Sequence, residues 1–559
     1  MRSYENNLLS SRNMPILNGL SFVTEMDAVG FRSVERHLIK SRDGSDREVE
    51  STLMFNTTPS SKQSAAIDIL SPLFDDEDKQ WLANLESDEL SKIRPFSKVA
   101  PFADVRKGYQ DAFFRPSDLK LNIKSCKMAT RRVQSLLRPN GLRKSSILSV
   151  LDETNMKTQW GLPYYISRPD SDQVAQYVNL AESDLSKGRL TRYPCISGTR
   201  MQITKIGQPL KQRLVWMYPH HVVLLESQYS LPLMKALRDH CFEFASQAGP
   251  DSTDRAMDKV FKFSQVNNSE MISLDFPEFD QKIKRPIVDE IFDCISFWFV
   301  GDDHYFLDHL KEYFLTCDLL TPLGLWEGRD GGIPSGSAFT SVVGTLCHIW
   351  IKEYILIRTG RKFPNGISLH AGDDGVWCIP GLTLDDVKNG FLELNIAFNP
   401  EKFVYSKIYA VFLQRHYHQS YKVNGKVVGV RIFTRSFATM CHFERPVGPG
   451  WNKYLESVRW IAQLENLKYH PCFKQIIISM CKLDKLGLGT RAPGGVSGLF
   501  KLAGGTKEIE SKLSSFMWLP NQAYGKVVDS ELQVVKTLAE LVRRGEIEVN
   551  RGGMSQTNT

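Results

Sequence analysis

Two adjacent aspartates, Asp373 and Asp374, lie between two short apolar segments in "ISLHAGDDGVWCI" at residues 367–379. Neighbouring carboxylates can hold a magnesium ion, cap a helix or simply face water. The same GDD triplet occurs upstream, where it contains Asp302 and Asp303. Because so short a motif recurs by chance, the elements around each pair must indicate which one does chemistry.

The two triplets differ in the elements that precede them. An apolar helix is expected at 285–300, so Asp302 and Asp303 would face the negative end of its dipole as exposed turn residues. The second pair would lie at the tip of a β-hairpin with apolar, buried arms. A rigid tip holds two carboxylates in a fixed relation, as a metal site requires. We therefore expect the chemistry at Asp373 and Asp374.

A third carboxylate accompanies this hairpin. The stretch "DFPEFD" at 275–280 places Asp275 at the end of a predicted strand, where it could meet the hairpin on a neighbouring strand. Magnesium takes oxygen ligands, and a pair of such ions can activate a hydroxyl and stabilise the leaving oxygen of a phosphoryl transfer. The upstream triplet fits this arrangement poorly. Asp302 comes before the serine- and glycine-rich segment at 331–344, so that segment would not lie between the two carboxylate sites.

That segment, "GGIPSGSAFTSVVG" at 331–344, leads into a long apolar helix. Small residues at such a junction let the backbone pass close to a ligand, and Ser335, Ser337 and Thr340 add short hydrogen-bonding groups. An ordinary helix N-cap formed by Ser337 is the alternative interpretation. Its place between two aspartate-bearing strands favours contact with a sugar and a template.

In this order the segments resemble the palm of a viral RNA-dependent RNA polymerase. The resembling motifs are "DFPEFD" (motif A), "SGSAFT" (motif B), "GDD" (motif C), "NPEKF" at 399–403 (motif D), "FLQR" at 412–415 (motif E) and "GQPLKQRLVWMYP" at 207–219 (motif F). The match covers residues 190–435. The spacings and "GGIPSGS" resemble the picobirnavirus and partitivirus group of small segmented double-stranded-RNA viruses.

The resemblance implies a role for each matching residue. The expected catalytic residues are Asp275, Asp373, Asp374 and Lys402, of which the three aspartates bind two Mg²⁺ ions, with Mn²⁺ as an alternative. Lys402 would protonate pyrophosphate, although a solvated lysine is the alternative. The expected nucleotide-binding residues are Arg200, Lys211, Arg213, Asp280, Ser335, Gly336, Ser337 and Thr340. Arg213 is the expected triphosphate contact because a guanidinium fork matches phosphate oxygens.

Sugar selection is expected at Asp280. An acidic residue here takes part in sensing the ribose 2′-hydroxyl, whereas reverse transcriptases exclude that group with a bulky aromatic residue. The family pattern often has Asn four residues after the motif B threonine, but this sequence has Gly344. The sequence leaves open whether Ser335 and Thr340 share the task with Asp280 or whether discrimination is looser.

The implied fold is α+β, a right-hand polymerase with fingers, a palm of antiparallel sheet plus helices, and a helical thumb. The expected boundaries are an N-terminal extension at 1–130, fingers with motif F at 131–265, palm with motif A at 266–290, a fingers insertion at 291–330, palm with motifs B to E at 331–420, and thumb with a C-terminal tail at 421–559. Within the extension we expect an irregular arm up to about residue 60 and a helix at 73–93 with acidic residues in its first turn.

Composition restricts the partners less sharply. The net charge of +7, from 70 basic and 63 acidic residues, fits nucleic acid but also many other enzymes. A basic stretch at 117–147 is either an RNA contact or a solvated face. Ten scattered cysteines without a CxxC pair argue against a disulfide framework or a zinc site and favour a reducing compartment. Neither a signal peptide nor a membrane span is expected.

The resulting hypothesis is template-directed RNA synthesis that replicates and transcribes a viral double-stranded RNA genome. The expected partners are RNA template and product, ribonucleoside triphosphates and, as a further candidate, the viral capsid protein, in the virion interior and the host cytoplasm. One alternative is a reverse transcriptase on the same palm, which would incorporate deoxyribonucleotides. The other is a non-catalytic RNA-binding or capsid-lining protein.

Overall fold

The structure of the protein is a computed structural model that describes residues 28–44, 59–90, 100–114, 119–137, 141–154, 158–201, 212–246, 249–276, 278–301, 304–396, 403–442, 451–504 and 532–548. The described chain begins with seven α-helices, which come before the first strand. They are α1 (Ala28–Asp43), α2 (Pro59–Phe74), α3 (Gln80–Leu90), α4 (Phe102–Phe113), α5 (Ile123–Gln134), α6 (Ile147–Glu153) and α7 (Ser171–Lys187).

The expectation of an irregular N-terminal arm is wrong for α1. This helix buries Val34 and Leu38, one turn apart, in a small cluster with Ile196 and Leu320. Its other positions are mostly polar, so its apolar stripe is too narrow to stand out in the sequence. Contacts with distant residues stabilise the helix, as is usual for short helices.

The helix expected at 73–93 is also wrong in its bounds. Helix α2 already ends at Phe74, and α3 begins only at Gln80 after a 3₁₀ turn at Glu77–Lys79. The acidic residues therefore lie in a connection between two helices. One of them, Asp76, forms an ion pair with Lys79, which lowers the pKa of Asp76.

The middle of the chain alternates strands and helices. Its elements are β1 (Cys195–Met201), β2 (Gln212–Met217), α8 (His220–His240), α9 (Pro250–Asn267), β3 (Met271–Asp275), α10 (Phe279–Lys282), α11 (Arg285–Trp298), α12 (His304–Thr316), β4 (Leu319–Thr321), β5 (Gly324–Trp326), α13 (Thr340–Arg358), β6 (Ile367–Ala371), β7 (Asp374–Cys378) and α14 (Leu384–Glu393). Helix α11 starts with proline in its first turn, as its sequence indicates.

Short strands and then helices complete the described chain. They are β8 (Val404–Ser406), β9 (Tyr409–Phe412), β10 (Arg415–His418), β11 (Lys422–Val423), β12 (Lys426–Val427), α15 (Phe433–Cys441), α16 (Lys453–Glu465), α17 (Phe473–Leu483), α18 (Gly495–Leu502) and α19 (Gln533–Arg543). Asn424 and Gly425, a pair typical of hairpin turns, join β11 to β12.

Four antiparallel strands form one sheet in the order β6-β7-β3-β8. Strands β6 and β7 pair from Ile367 with Cys378 to Ala371 with Asp374, so the predicted hairpin is confirmed. Helix α13 packs against β6 and is buried around most of its circumference. A helix that is apolar on all sides is buried in a large core, which explains why its sequence contains so long an apolar segment.

A second sheet has the order β2-β1-β4-β5. Strands β1 and β2 are antiparallel, and Arg200 lies directly opposite Arg213. Strand β4 is parallel to β1 and antiparallel to β5. This sheet therefore carries the described end of the basic segment that precedes α8.

The cysteines form no disulfide framework, as their scattered positions predict. All ten are buried and carry free thiols. None of the helices among the described residues combines the length and the apolar character that crossing a membrane requires.

The N-terminal helices contact two separate parts of the molecule: the sheet β2-β1-β4-β5, here called the first half, and the C-terminal helices α15 to α19, here called the C-terminal half. Helix α1 lies beside β1 and β4, where His37 Nε2 is 2.9 Å from the carbonyl oxygen of Ser197. Helices α2 and α3 instead join the hydrophobic core formed by α15, α16, α17 and α19. Helix α4 then returns to the first half, where Phe113 stacks on Trp216. The chain thus passes from one half to the other and back.

A buried carboxylate, Glu86 of α3, fastens this segment to the C-terminal helices. It accepts hydrogen bonds from the backbone N–H groups of Phe433 and Thr434 at the start of α15. Nε2 of His470 lies 3.1 Å from the same carboxylate. The first N–H groups of a helix have no partner within it, so Glu86 caps α15 from a distant part of the chain.

We expect Glu86→Leu to destabilise the folded state by about 2–4 kcal/mol, because two buried N–H donors lose their acceptor and each unsatisfied donor costs about 1–3 kcal/mol. A lower midpoint of denaturant unfolding measures this effect. Ser87→Ala, at the exposed neighbouring position, is the matched control and should change stability by less than about 0.5 kcal/mol. Equal midpoints for the two variants would contradict the capping role.

Candidate active site

The hairpin ends in a two-residue turn that carries the first aspartate of the pair. Ala371 pairs with Asp374 across the turn, so Gly372 and Asp373 are its central residues. Gly372 has φ +63°, a conformation that glycine adopts without steric cost. Asp373 is consequently exposed at the tip, and Asp374 begins β7 with a half-buried side chain.

Strand β3 brings Asp275 to this tip. Asp275 lies directly opposite Asp374 in the antiparallel register, and residues so paired have Cα atoms about 4.5–5.5 Å apart. The structure describes the backbone of Asp275 but not its side chain. The backbones of the two segments that the sequence predicts to bind metal are therefore adjacent, although they are far apart in the chain.

Helix α13 holds the turn through both backbone groups of Gly372. The N–H of Gly372 donates to Thr345 Oγ1 at 3.0 Å. Its carbonyl oxygen lies 2.9 Å from His348 Nδ1, which must be the donor because a carbonyl oxygen only accepts. Burial lowers the pKa of His348 to about 3, so the ring is neutral.

His348 also packs directly on β7. A Cβ atom on Gly375 would overlap the His348 ring, so only glycine at this position allows the helix to approach so closely. The sequence analysis missed Thr345 and His348 as site residues. The available signal was a pair of polar residues, three apart, in an otherwise apolar helix; that spacing places them on one helical face.

The pKa of Asp280 is shifted by the charges of two other predicted site residues. Asp280 lies in the short helix α10. This helix begins directly after Glu278, whose φ is +55°. Desolvation by the surrounding protein raises the pKa of Asp280 to about 6, although the residue retains access to solvent. The charge of Asp373 raises this pKa further and that of Arg213 lowers it. Three separate predicted segments therefore converge here.

The loop that contains motif B is pinned at its first half by β2. The N–H of Trp216 donates to Ser335 Oγ at 3.3 Å. A Cβ atom on Gly336 would overlap the carbonyl oxygen of Trp216. Ser335 is nevertheless exposed at the point where the loop approaches β2.

The second half of this loop uses its hydroxyls internally. Ser337 is buried, and its Oγ donates to the carboxylate of Glu226 at 2.6 Å. Thr340 Oγ1 lies 2.6 Å from the carbonyl oxygen of Pro334 and 2.7 Å from that of Ser337. These hydrogen bonds close the loop onto the start of α13.

Gly344 lies where the three central motifs meet. A Cβ atom built there would be 3.6 Å from Ile333, 3.8 Å from Phe279 and 3.9 Å from Gly372. These are ordinary van der Waals distances. The asparagine side chain that the family pattern often has at this position would therefore begin between motifs A, B and C. In this chain, Gly344 places no side chain there.

Two predicted phosphate contacts lie side by side on the second sheet. Arg200 and Arg213 are register partners, and both are exposed. Like charges directly opposite each other in a sheet repel. Arg213 is the member whose charge reaches Asp280.

Several predicted residues lie outside the described residues. They are Lys211, Lys402, Asp302 and Asp303. Among the side chains that the structure describes, no group of three or more His, Cys, Asp or Glu residues is arranged to hold a metal ion, and the side chain of Asp275 is not among them. The described part of the site is thus a paired-aspartate turn, a neighbouring strand end, a serine-glycine loop and an arginine pair.

A central antiparallel sheet with these motifs in this order defines a right-hand polymerase. The model of the family described as "Viral RNA-dependent RNA polymerase" matches residues 124–470, more than half of the chain. The chain therefore belongs to the viral RNA-dependent RNA polymerase family. This confirms both the resemblance and the predicted enzyme class.

Two relatives agree with this assignment. The chain is 26% identical over 441 residues to a "Potential RNA-dependent RNA polymerase" of a human picobirnavirus, covering 75% of this chain and 79% of the relative. It is 25% identical over 171 residues to an "RNA-directed RNA polymerase" of Cryptosporidium parvum virus 1, covering 30% and 31%. Both names are those of RNA polymerases.

Solved structures confirm the fold. The crystal structure of the RNA-dependent RNA polymerase of a human picobirnavirus matches with a TM-score of 0.74 at 22% identity, covering 90% of this chain and 96% of that one. Its insertion-loop deletion mutant matches with a TM-score of 0.69 at 21% identity, covering 91% and 96%. The expected α+β right-hand fold is correct.

We expect Gly375→Ala to lower the rate of nucleotide incorporation about tenfold or more. The added methyl group must displace β7 or the His348 ring and with them the turn that carries Asp373, and a catalytic group misplaced by about 1 Å can lower a rate by about 100-fold. Single-turnover extension of a primed RNA template measures the rate. Gly108→Ala, in α4 with nothing within 4 Å of the new Cβ, is the control and should retain full activity. An equally active Gly375→Ala enzyme would show that this packing does not matter.

Proposed function

We propose that the protein adds ribonucleotides to the 3′-hydroxyl of an RNA strand opposite an RNA template, by a two-metal phosphoryl transfer that releases pyrophosphate. The observation that carries this proposal is the pairing of Asp275 with Asp374 beside the exposed Asp373. This reaction would replicate and transcribe a viral double-stranded RNA genome. We thus assign the polymerase activity of the family to particular residues of this chain.

Asp275, Asp373 and Asp374 would hold two Mg²⁺ ions, with Mn²⁺ as an alternative. The chemistry of the donors fits, because carboxylate oxygens are the ligands that these hard cations prefer. Negative charge is also concentrated at the turn, as the rise in the pKa of Asp280 caused by Asp373 indicates. Bound there, the ions would lower the pKa of the 3′-hydroxyl and stabilise the charge on the leaving pyrophosphate.

Arg213, with Arg200 opposite it, would bind the triphosphate through guanidinium forks that match phosphate oxygens. Lys211, two residues before Arg213, would contribute to the same contact. Lys402 would donate a proton to the pyrophosphate as it leaves. These cations would neutralise a substrate that the aspartates alone would repel.

Ribose recognition would combine Asp280 with Ser335 and Gly336. Asp280 lies close enough to Asp373 and Arg213 for their charges to shift its pKa, and Ser335 is exposed. Ser337 and Thr340 would act through the hydrogen bonds that shape the loop. Because Gly344 offers no side chain, Asp280 would carry more of the discrimination than in relatives with Asn at that position.

We propose the following division of the hand. The sheet β6-β7-β3-β8 with α13 is the palm, the sheet β2-β1-β4-β5 belongs to the fingers, and α15 to α19 form the thumb. The packing of α2 and α3 among the thumb helices, and of α1 beside β1, supports an N-terminal extension that contacts both fingers and thumb.

The partners would be RNA template and product, ribonucleoside triphosphates and the viral capsid protein. The polymerase would act in the virion interior and the host cytoplasm. RNA binding would fall with rising salt, because basic side chains contact phosphates. One candidate surface is the solvent face of α5, whose exposed basic residues are Lys124, Lys127, Arg131 and Arg132.

We expect Asp373→Ala to abolish extension of a primed RNA template in magnesium while RNA binding is retained, because the variant loses a metal ligand but no RNA-binding cation. Removal of magnesium by chelation should have the same effect on the wild-type enzyme. Asp302→Ala changes the other GDD triplet and is the matched control, with activity near that of the wild type. Retained synthesis by Asp373→Ala, or loss in Asp302→Ala alone, would reverse the choice between the triplets.

We expect Asp280→Ala to reduce the preference for ATP over dATP about tenfold, which corresponds to one hydrogen bond of about 1.4 kcal/mol. The ratio of kcat/KM for the two nucleotides measures it on a single RNA template. Asp111→Ala, at an exposed position of α4, should leave the ratio unchanged. A wild-type preference for dATP would instead support the reverse-transcriptase alternative.

A further inference from the structure

Helix α8 carries a carboxylate that points into the protein beneath the motif B loop. Glu226 has no exposed surface, and most of the residues around it on α8 are buried as well. Burying a carboxyl group is unfavourable unless hydrogen bonds compensate. Its partners therefore show what the residue does.

One oxygen of Glu226 joins the loop to α13. Oε2 accepts a hydrogen bond from Ser337 Oγ at 2.6 Å and another from the N–H of Ala338 at 2.7 Å. Ser337 Oγ in turn accepts from the N–H of Phe339 at 3.0 Å. Phe339 is the N-cap position of α13, and its side chain cannot cap the helix. A carboxyl group from another helix thus organises the junction.

The same stretch of chain also holds the other half of the loop. Trp216 in β2 donates to Ser335 and crowds Gly336, and β2 continues after a short connection into α8. The strand that bears Arg213 and the helix that bears Glu226 therefore support the loop from two directions. Its shape depends on both.

We propose that Glu226 is a positioning residue that fixes the Ser335–Ser337 loop in the conformation that binds the incoming ribonucleotide. This inference rests on the proposed function, because it requires that the loop contacts the nucleotide. Glu226 itself would not touch the substrate. Its contribution would be to hold the donors of Ser337 and Ala338 in place, so that Ser335 keeps its exposed position.

The chemistry of the buried carboxyl identifies its closest substitute. Burial raises the pKa of Glu226 to about 8, against the effect of its hydrogen bonds. Its other oxygen, Oε1, is buried without a hydrogen-bond partner among the described residues. A neutral side chain of the same length with one acceptor oxygen should therefore replace it, and glutamine has this form. Aspartate is one methylene too short, and leucine offers no acceptor.

The test is a series of substitutions at this position, with KM and kcat for ATP measured on a primed RNA template. We expect Glu226→Gln to retain the wild-type KM within about twofold and Glu226→Leu to raise KM about tenfold, as the loss of an acceptor for two donors predicts. Glu226→Asp should fold and give an intermediate KM, so the series remains informative if the leucine variant is insoluble. In each case kcat should change less than KM.

The thumb offers a matched control. Asp484 is also fully buried, and its Oδ2 accepts from Ser457 Oγ and from the N–H of Leu488, each at 2.6 Å. Asp484→Leu removes the same kind of contact away from the loop. It should lower the thermal unfolding midpoint as Glu226→Leu does, but leave KM for ATP unchanged.

A double-mutant cycle separates contact from general damage. If Glu226 acts through Ser337, then Ser337→Ala should raise KM much less in the Glu226→Leu background than in the wild type. An unchanged KM in both the leucine and aspartate variants, an increase of the same size in Asp484→Leu, or fully additive effects would overturn the inference. A wild-type enzyme that incorporates no ribonucleotide would instead refute the proposed function.

Discussion

The position of Gly372 against α13 is the constraint on which the site depends. Thr345 and His348, one turn apart on that helix, bind its N–H and its carbonyl oxygen. Asp373 is the next residue, so the helix determines where the tip of the hairpin lies. The same helix begins at Thr340, immediately after the motif B loop. One rigid, buried element therefore sets the distance between the loop and the aspartates, and catalytic groups require positioning of this kind.

Unusual polar groups lie in the core beneath the hairpin. His348 and His370 are fully buried, and each has one ring nitrogen without a partner among the described residues. Burial lowers the pKa of both rings, so neither places a positive charge beside Asp373, and His348 supports the turn as a neutral donor. Lys352, further along α13, is buried too and binds Glu243 at 2.7 Å and Ser368 at 3.1 Å. An apolar core would avoid the cost of burying these groups, but Lys352 joins α13 to β6 through specific hydrogen bonds.

The N-terminal helices also fix the positions of elements outside the palm. Helix α1 buries two apolar side chains, Val34 and Leu38, beside the sheet that carries Arg213. Helix α3 caps α15 through Glu86. Both contacts link segments that are distant in the chain. They reduce the freedom of the two halves to separate, because either movement would expose apolar surface or leave buried donors unpaired.

The sequence alone determined the features that depend on neighbouring residues. Two apolar segments around GDD predicted the hairpin, the apolar stretch at 285–300 predicted α11, and the order of the motifs indicated the polymerase fold. It did not reveal α1, because its two buried apolar side chains, Val34 and Leu38, form a stripe too narrow to recognise without its partners. Nor did it reveal Thr345, His348 or Glu226, whose contacts cross 27, 24 and 111 residues of chain. Local patterns report helical period and turn chemistry within a short window. Which buried hydroxyl, imidazole or carboxyl meets which loop depends on how helices pack, and only the tertiary structure decided that.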